Sequence, residues 1–418
     1  MKKKYLWTAA FLLSFLIFVF WAVMLINSRT EKKEDSEDER QVVHVMAPYT
    51  TELHRQIVDE VAHDYERYHT DVQIEVEYVS RENYKKTICL YQDEGTVPDI
   101  LICGRAIMPP LIKMGVFREI HLDSTQKNRY RKSVSWESVM SDGKYYGLPF
   151  TCDPYMLFYN KNSFEEKQLA VPKKWKELLE TGNAVQNRGS YGLGFAAKRP
   201  EEAADMFRLM LYSEGGNLNN INREQGIEVF TLLQNMQQQI VLPNTINMTS
   251  EDMARNFAAG QVQMMVNKLS SITVLRSQRM TFEAGMTRLP GEFSDMYLLD
   301  GDNIGLCKNA SEEAEEFLKY LCQPDVYERL IHAMDVLPVF YEVPYRERHT
   351  VTYKGEKNLL EDFMSGGNSR FFEVQDAEFA LIDELSEGVY DCMKYNPQKP
   401  DVIAEHVQDS VKIAILDN

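Results

Sequence analysis

The sequence predicts an α/β protein of two domains behind an N-terminal membrane segment, on three observations. From residue 42 onward, short apolar runs alternate with amphipathic runs of helical period, the pattern of a parallel sheet with helices on its faces. About 375 residues follow that point, too many for one compact core and enough for two. At the start of the chain, Lys2, Lys3 and Lys4 precede an uncharged run over residues 5–26. At about 1.5 Å per residue that run can cross a bilayer core of about 30 Å.

The first domain opens with a strand at 42–46, VVHVM, and a loop containing Pro48 and Tyr49. Leu53, Ile57, Val58, Val61, Tyr65 and Tyr68 then recur at helical spacing and give one apolar stripe. Residues 72–79 alternate apolar and polar and read as a strand. A helix at 82–93 leads to the continuous apolar run after Val97-Pro98-Asp99, a strand covered on both faces. A helix at 108–114 stops at Gly115. This is a β-α-β-α-β unit, and sheets of that kind bind ligands in the loops at the carboxyl ends of their strands. Those loops are residues 47–51 and 103–107.

The second region begins near Pro149, with a strand at 155–159 and a helix opened by Pro172 that carries Trp175, Leu178 and Leu179 on its packing face. Strands are expected at 191–195, 262–266 and 282–289, and helices at 201–213, 223–239 and 250–258. Strands at 296–299 and 303–306 flank Asp300-Gly301-Asp302. Ser311 offers a cap to the next helix, whose first turn is rich in glutamate. A helix from Pro324 ends at Leu337-Pro338, and helices at 359–364, 374–385 and 401–416 complete the chain. No internal repeat is visible, which argues against a solenoid.

Charge and motifs exclude several functions. The net charge is −17 and no Lys/Arg-rich run is present beyond residue 41, which argues against nucleic acid. The six cysteines form no C-x-x-C pair and none sits at zinc spacing with a histidine, so most read as buried apolar fillers, with one disulfide left open and no pairing assigned. The chain lacks G-x-S-x-G, H-E-x-x-H and phosphate-loop motifs, and no cofactor is expected. A hydrolase built on two carboxylates leaves no motif and stays open as a rival.

Residues 1–27 read as an uncleaved signal anchor, with the lysines inside and the rest of the chain outside. A long cleaved signal peptide is the alternative; the length of the run and the lack of an A-x-A site favour the anchor. The first cysteine is Cys89, so no lipid-modified cysteine follows the apolar run. Residues 28–41 are strongly charged and read as a solvated tether.

Several segments carry a family resemblance. DGKYYGLPFTCDPYMLFYNKNSFEEKQLAVPKKWKELL, at 142–179, is the fullest. VPDILI at 97–102, SYGLGF at 190–195, FAAGQVQMMV at 257–266, Leu289-Pro290-Gly291, residues 303–321 and Leu337-Pro338 follow in the same order. Together they resemble bacterial extracellular solute-binding proteins, family 1, the sugar-type proteins that present ligands to ABC importers. The resemblance implies a two-lobe periplasmic-binding-protein-like fold of type II with interleaved lobes. Lobe one would be 42–149 with 303–340, and lobe two 150–302 with 341–418, joined by crossing strands that act as a hinge. It implies a carbohydrate or related small polar solute, ABC permease subunits as partners, and no catalysis.

Sugar recognition needs aromatic faces for C–H surfaces and Asp or Asn side chains for hydroxyls. The candidates are Tyr49 and Arg105 on the first-lobe loops, Asp153 and Tyr155 beyond the hinge, Asn267 after the Met-Met-Val strand, and Asp302 and Asn303 at the late crossover. Each has a structural reading too: Asp153 before Pro154 shapes a turn, Tyr155 is core, Arg105 is a surface charge, and Asp302 and Asn303 set a turn. Sugar-binding members often carry Trp after the A-M strand and at the late crossover, where this chain has Asn267-Lys268 and Asp302-Asn303. That departure favours a smaller, more polar or charged solute. A membrane-anchored sensor partnering a receptor kinase is the alternative role.

Overall fold

The computed structural model describes residues 40–292, 297–345, 369–371 and 373–416. The segment at 5–26, nearly all of the tether and the expected helix at 359–364 lie outside them. Among the described residues no helix is long and apolar enough to cross a membrane.

Two sheets organise the chain. The first holds five strands in the order Val72–Tyr78, Gln41–Ala47, Ile100–Gly104, Asp302–Leu306, Leu148–Pro149. The first three are parallel, with Gln41 opposite Val72 and Val45 opposite Ile100. Asp302–Leu306 runs antiparallel to both of its neighbours. The helix Glu52–Glu66 makes the first crossover; the Thr51 side chain accepts the His54 N–H at its start, and Ile57, Val58, Val61, Ala62 and Tyr65 are its buried stripe. Ile100–Gly104 is buried at every position, as its unbroken apolar run requires. The helices Glu312–Leu321 and Pro324–Met334 pack on the Glu52–Glu66 helix. Ser311 caps the former by accepting the Ala314 N–H at 3.1 Å.

The second sheet runs Ser369–Phe371, Tyr297–Asp300, Thr151–Asn160, Val262–Lys268, Tyr191–Gly194. Its spine, Thr151–Asn160, also pairs with Ala284–Thr287 and Leu337–Pro338. This strand starts four residues before the expected 155, and Pro154 sits inside it rather than in a turn. Proline has no N–H to give a ladder. Here it falls where the strand changes partners: Pro154 faces Leu299 on one side, and pairing with Lys268 on the other begins at Tyr155. Helices Pro200–Ser213, Glu224–Gln239, Glu378–Met393 and Pro400–Leu416 pack together beside this sheet. The helix expected at 374–385 begins later and runs further, as Glu378–Met393. Trp175 is buried and donates to the Ser213 hydroxyl at 2.7 Å, a packing role as expected. All six cysteines are free thiols.

The sheets are joined by single-residue steps. Leu148–Pro149 belongs to the first sheet and Thr151 to the second, with Phe150 between; Asp300 belongs to the second and Asp302 to the first, with Gly301 between. The two crossings are bonded to each other. Phe150 N–H donates to the Asp302 carbonyl at 2.9 Å, and Asp302 N–H donates to the Thr151 hydroxyl at 2.8 Å. Tyr327 clamps the same point, donating to the Phe150 carbonyl at 2.6 Å and accepting the Val339 N–H at 3.0 Å. Gly301 has φ of +150°, and a Cβ there would lie 2.1 Å from the Thr151 carbonyl oxygen.

Gly301→Ala should therefore destabilise the fold by at least about 1–3 kcal/mol, from backbone strain together with steric overlap. Urea unfolding followed by circular dichroism reads this directly. An unchanged midpoint would show that the crossing has slack.

Candidate functional site

A cleft lies between the two sheets, and both supply its walls. The first sheet contributes loops at the carboxyl ends of its parallel strands: Tyr49 and Thr50, Arg81 at the head of the next helix, and Gly104 to Ile107. The second contributes Asp153, Asn267 and Lys268. The crossing strands supply Thr151, Asp300, Gly301 and Asp302, so the crossings and the cleft share residues. Further wall comes from the start of the Pro200–Ser213 helix, the first turn of the Ser250–Ala258 helix and the segments around Ser270 and Met334.

Five of the seven candidates come together here: Tyr49, Arg105, Asp153, Asn267 and Asp302. Tyr155 and Asn303 are off the wall. Tyr155 is buried among the second-sheet core residues and its hydroxyl donates to the Asp205 carboxylate, so it positions a wall residue. Asn303 is 1% exposed and its amide donates to the Ser138 hydroxyl at 3.0 Å.

The cleft is lined with charge, much of it paired. Arg81 meets Asp302 at 3.0 Å; burial opposes the guanidinium charge, but Asp302 and Asp300 outweigh it and hold Arg81 above its usual pKa. Lys268 pairs with Asp300, which with Asp205 likewise overcomes burial to raise the ammonium pKa. Arg208, 1% exposed, meets Glu378 at 2.5 Å. Arg199 bridges Glu202 at 3.0 Å and Glu251 at 3.3 Å, and reaches Glu82 of the opposite wall at 3.7 Å. Thr50 donates to Glu251 at 3.2 Å, a second contact across the cleft. Arg105 is 2% exposed rather than on the surface; burial pushes it down to about 10 against the field of Asp300.

Several polar atoms on this wall lack protein partners. The Tyr49 hydroxyl and His54 Nε2 are buried without a hydrogen bond, as are Nε and Nη2 of Arg208. Burial, helped by the nearby Arg81, lowers His54 to about 4 and keeps it neutral. Burial pushes Asp153 up to about 6, opposed by Lys268 and by the Ser270 N–H that donates to it at 3.0 Å. Burial also pushes Asp205 up to about 6, again opposed by Lys268. Such atoms are costly unless something hydrogen-bonds them. Among the described residues no group of three or more His, Cys, Asp or Glu side chains is arranged to hold a metal ion.

A family model described as bacterial extracellular solute-binding protein matches residues 60–356. The chain belongs to that family. A binding protein of Brucella abortus is 24% identical over 260 residues, covering 59% of this chain and 63% of the relative's own length. A galactooligosaccharide-binding protein of Bacillus subtilis is 31% identical over 98 residues, 23% of each chain. Among solved structures, the GacH receptor of Streptomyces glaucescens, determined unliganded and with acarbose, superposes with a TM-score of 0.77 at 18% identity, covering 90% of this chain and 99% of that one. Maltose-bound T. maritima MalE3 gives 0.77 at 17% identity, covering 89% and 100%. The chain has the two-lobe fold of these proteins.

Of the basic side chains on the wall, sequence reasoning reached Arg105 and missed Arg81, Arg199, Arg208 and Lys268. Arg208 was visible as the one cation in the mostly apolar helical run AADMFRLMLY, and Arg199 as the residue before a helix-opening proline. Lys268 stands where a sugar-stacking Trp was sought.

The raised carboxyls set a pH dependence. A group that titrates near 6 when folded and near 4 when unfolded binds a proton more tightly in the folded chain. Stability then falls as pH rises through that window and is level above it. Asp153→Asn keeps an acceptor for Ser270 and removes the titration. Urea midpoints from pH 4 to 7.5 should show a shallower fall for the variant, worth up to about 3 kcal/mol at neutral pH; parallel curves would contradict a raised pKa at Asp153.

Proposed function

We propose that this protein captures a small polar solute outside the cell, closes two lobes around it and delivers it to the permease of an ABC importer. One observation carries the reading: a cleft walled by both sheets and by the strands that cross between them, which would serve as its hinge. Closing such a hinge brings the two walls onto a bound solute. The lobes would divide as 42–149 with 303–340 and 150–302 with 341–418. The solute would be a carbohydrate or a related polyol, held by Tyr49, Arg105, Asp153, Asn267 and Asp302, with Arg208 as a further donor. The sugar-binding names of the relatives support that class. No catalysis is proposed, and the uncharged run at 5–26 would anchor the protein to the membrane.

The cleft admits the centres of water-sized molecules over about 140 Å³. One water needs about 10–15 Å³ by that measure, so this conformation holds on the order of ten. That suits a monosaccharide or a little more. Tyr49 is the one aromatic ring among the described wall residues apart from the His54 imidazole, so hydrogen bonds rather than stacking would supply specificity.

A thermal-shift screen of residues 42–418 against mono- and disaccharides, amino sugars, sugar acids and peptides tests the proposal. A ligand at 100 times its Kd should add about 2.7 kcal/mol of stability. A flat response across the panel would count against solute capture.

A further inference from the structure

The charges on the cleft wall do not balance. Seven carboxylates face five cations among the described lining residues. Four of those cations already have carboxylate partners: Arg81 has Asp302, Lys268 has Asp300, Arg208 has Glu378 from behind the wall, and Arg199 has Glu202 and Glu251; the fifth, Arg105, donates to the Ser135 carbonyl at 3.3 Å and lies in the field of Asp300. Asp153, Asp205 and Glu201 are left to weaker company. Asp153 accepts the Ser270 N–H, Asp205 accepts the Tyr155 hydroxyl, and Glu201 Oε2 is buried with no hydrogen bond. Lys268 lies close enough to Asp153 and Asp205 to be felt by both, but it is bonded to Asp300.

A second, independent feature points to an occupant. The Tyr49 hydroxyl is buried on the same wall without a partner, the residue being 5% exposed. His54 Nε2, beside it, is likewise unbonded, and the two rings meet edge-on with centroids 5.8 Å apart. A solute is therefore expected to bring both positive charge, for the surplus carboxylates, and hydroxyls, for the unbonded polar atoms. A neutral polyol would leave the surplus carboxylates with only a share of cations already bonded elsewhere, and an acidic solute would add to the repulsion.

We propose that the solute carries a protonated amine on a polyhydroxylated frame, of amino-sugar chemistry, with the amine held by the Asp153, Asp205 and Glu201 carboxylates. The proposal rests on the solute-capture reading. An ammonium donates three hydrogen bonds and suits a cluster of carboxylates, while its ring hydroxyls reach Tyr49, His54 and the spare N–H groups of Arg208. The positions of Asp153 and Asp205 agree: burial pushes both up to about 6, and a bound cation would hold them ionised.

The test is isothermal titration calorimetry on the full chain in detergent at pH 7.5. The probes are glucosamine and its β1,4-linked dimer, glucose and cellobiose, N-acetylglucosamine, and glucuronate. The amines should bind at least tenfold tighter than their neutral counterparts, and N-acetylation should erase the difference. Glu201→Gln and Asp205→Asn, each checked for folding by circular dichroism, should shrink the amine-to-neutral ratio several-fold. Neutral sugars binding as well as the amines, or glucuronate binding tightest, would overturn the amine proposal and leave solute capture standing. Silence from every probe, here and in the thermal-shift panel, would overturn both.

Discussion

The structure depends on how the chain crosses between its two sheets. It does so in steps of one residue, at Phe150 and at Gly301, and the two steps are hydrogen-bonded to each other. Gly301 has no space for a side chain because the Thr151 carbonyl fills it. Short crossings keep the sheets adjacent, and adjacency creates the cleft. The residues that would bend in the proposed closure are thus neighbours of those that would hold a solute: Asp300 and Asp302 flank the glycine and anchor Lys268 and Arg81. A change in hinge angle cannot leave the wall's charges undisturbed.

The wall itself is an electrostatic structure more than an apolar one. Removing charges from water is expensive, and a buried ion pair rarely repays that cost in stability. Here the pairs fix side chains that would otherwise be mobile. Arg199 is held by Glu202 and Glu251 while it reaches toward Glu82 on the opposite wall, and Glu202 is itself fixed by the Ser250 N–H and hydroxyl at 2.9 and 2.7 Å. The atoms left unbonded, on Tyr49, His54, Glu201 and Arg208, belong to residues that line the cleft. A solute meeting them gains hydrogen bonds without the protein having to order many side chains, which is the energetic benefit of preorganisation.

Much of the fold was legible in the sequence because its signals were local. Alternation at 72–79, the continuous run after Asp99 and the cap at Ser311 each report one element's own burial or ends. The hinge strand was only partly legible. Pro154 reads as punctuation, and only the exchange of strand partners at that point lets it sit in a ladder. The site was half legible. Loops after parallel strands led to Tyr49 and Arg105, and the crossover led to Asp302. Asn303 follows Asp302 along its strand and so points to the other face, a period-two effect; Tyr155 is two residues beyond Asp153, but its hydroxyl is taken up by Asp205 and its ring lies under Lys268, long-range contacts with no local signal. Glu378, which pairs with Arg208 from 170 residues away, carries no local signal of its partner.

The central claim is that the two lobes close on a solute. Small-angle scattering of residues 42–418, with and without a saturating ligand from the screen, tests it most directly. The account predicts a smaller radius of gyration with ligand bound, and a reduced response when Gly301 is replaced by alanine in protein that still folds. An unchanged radius at proven saturation would contradict closure and leave a rigid receptor in its place.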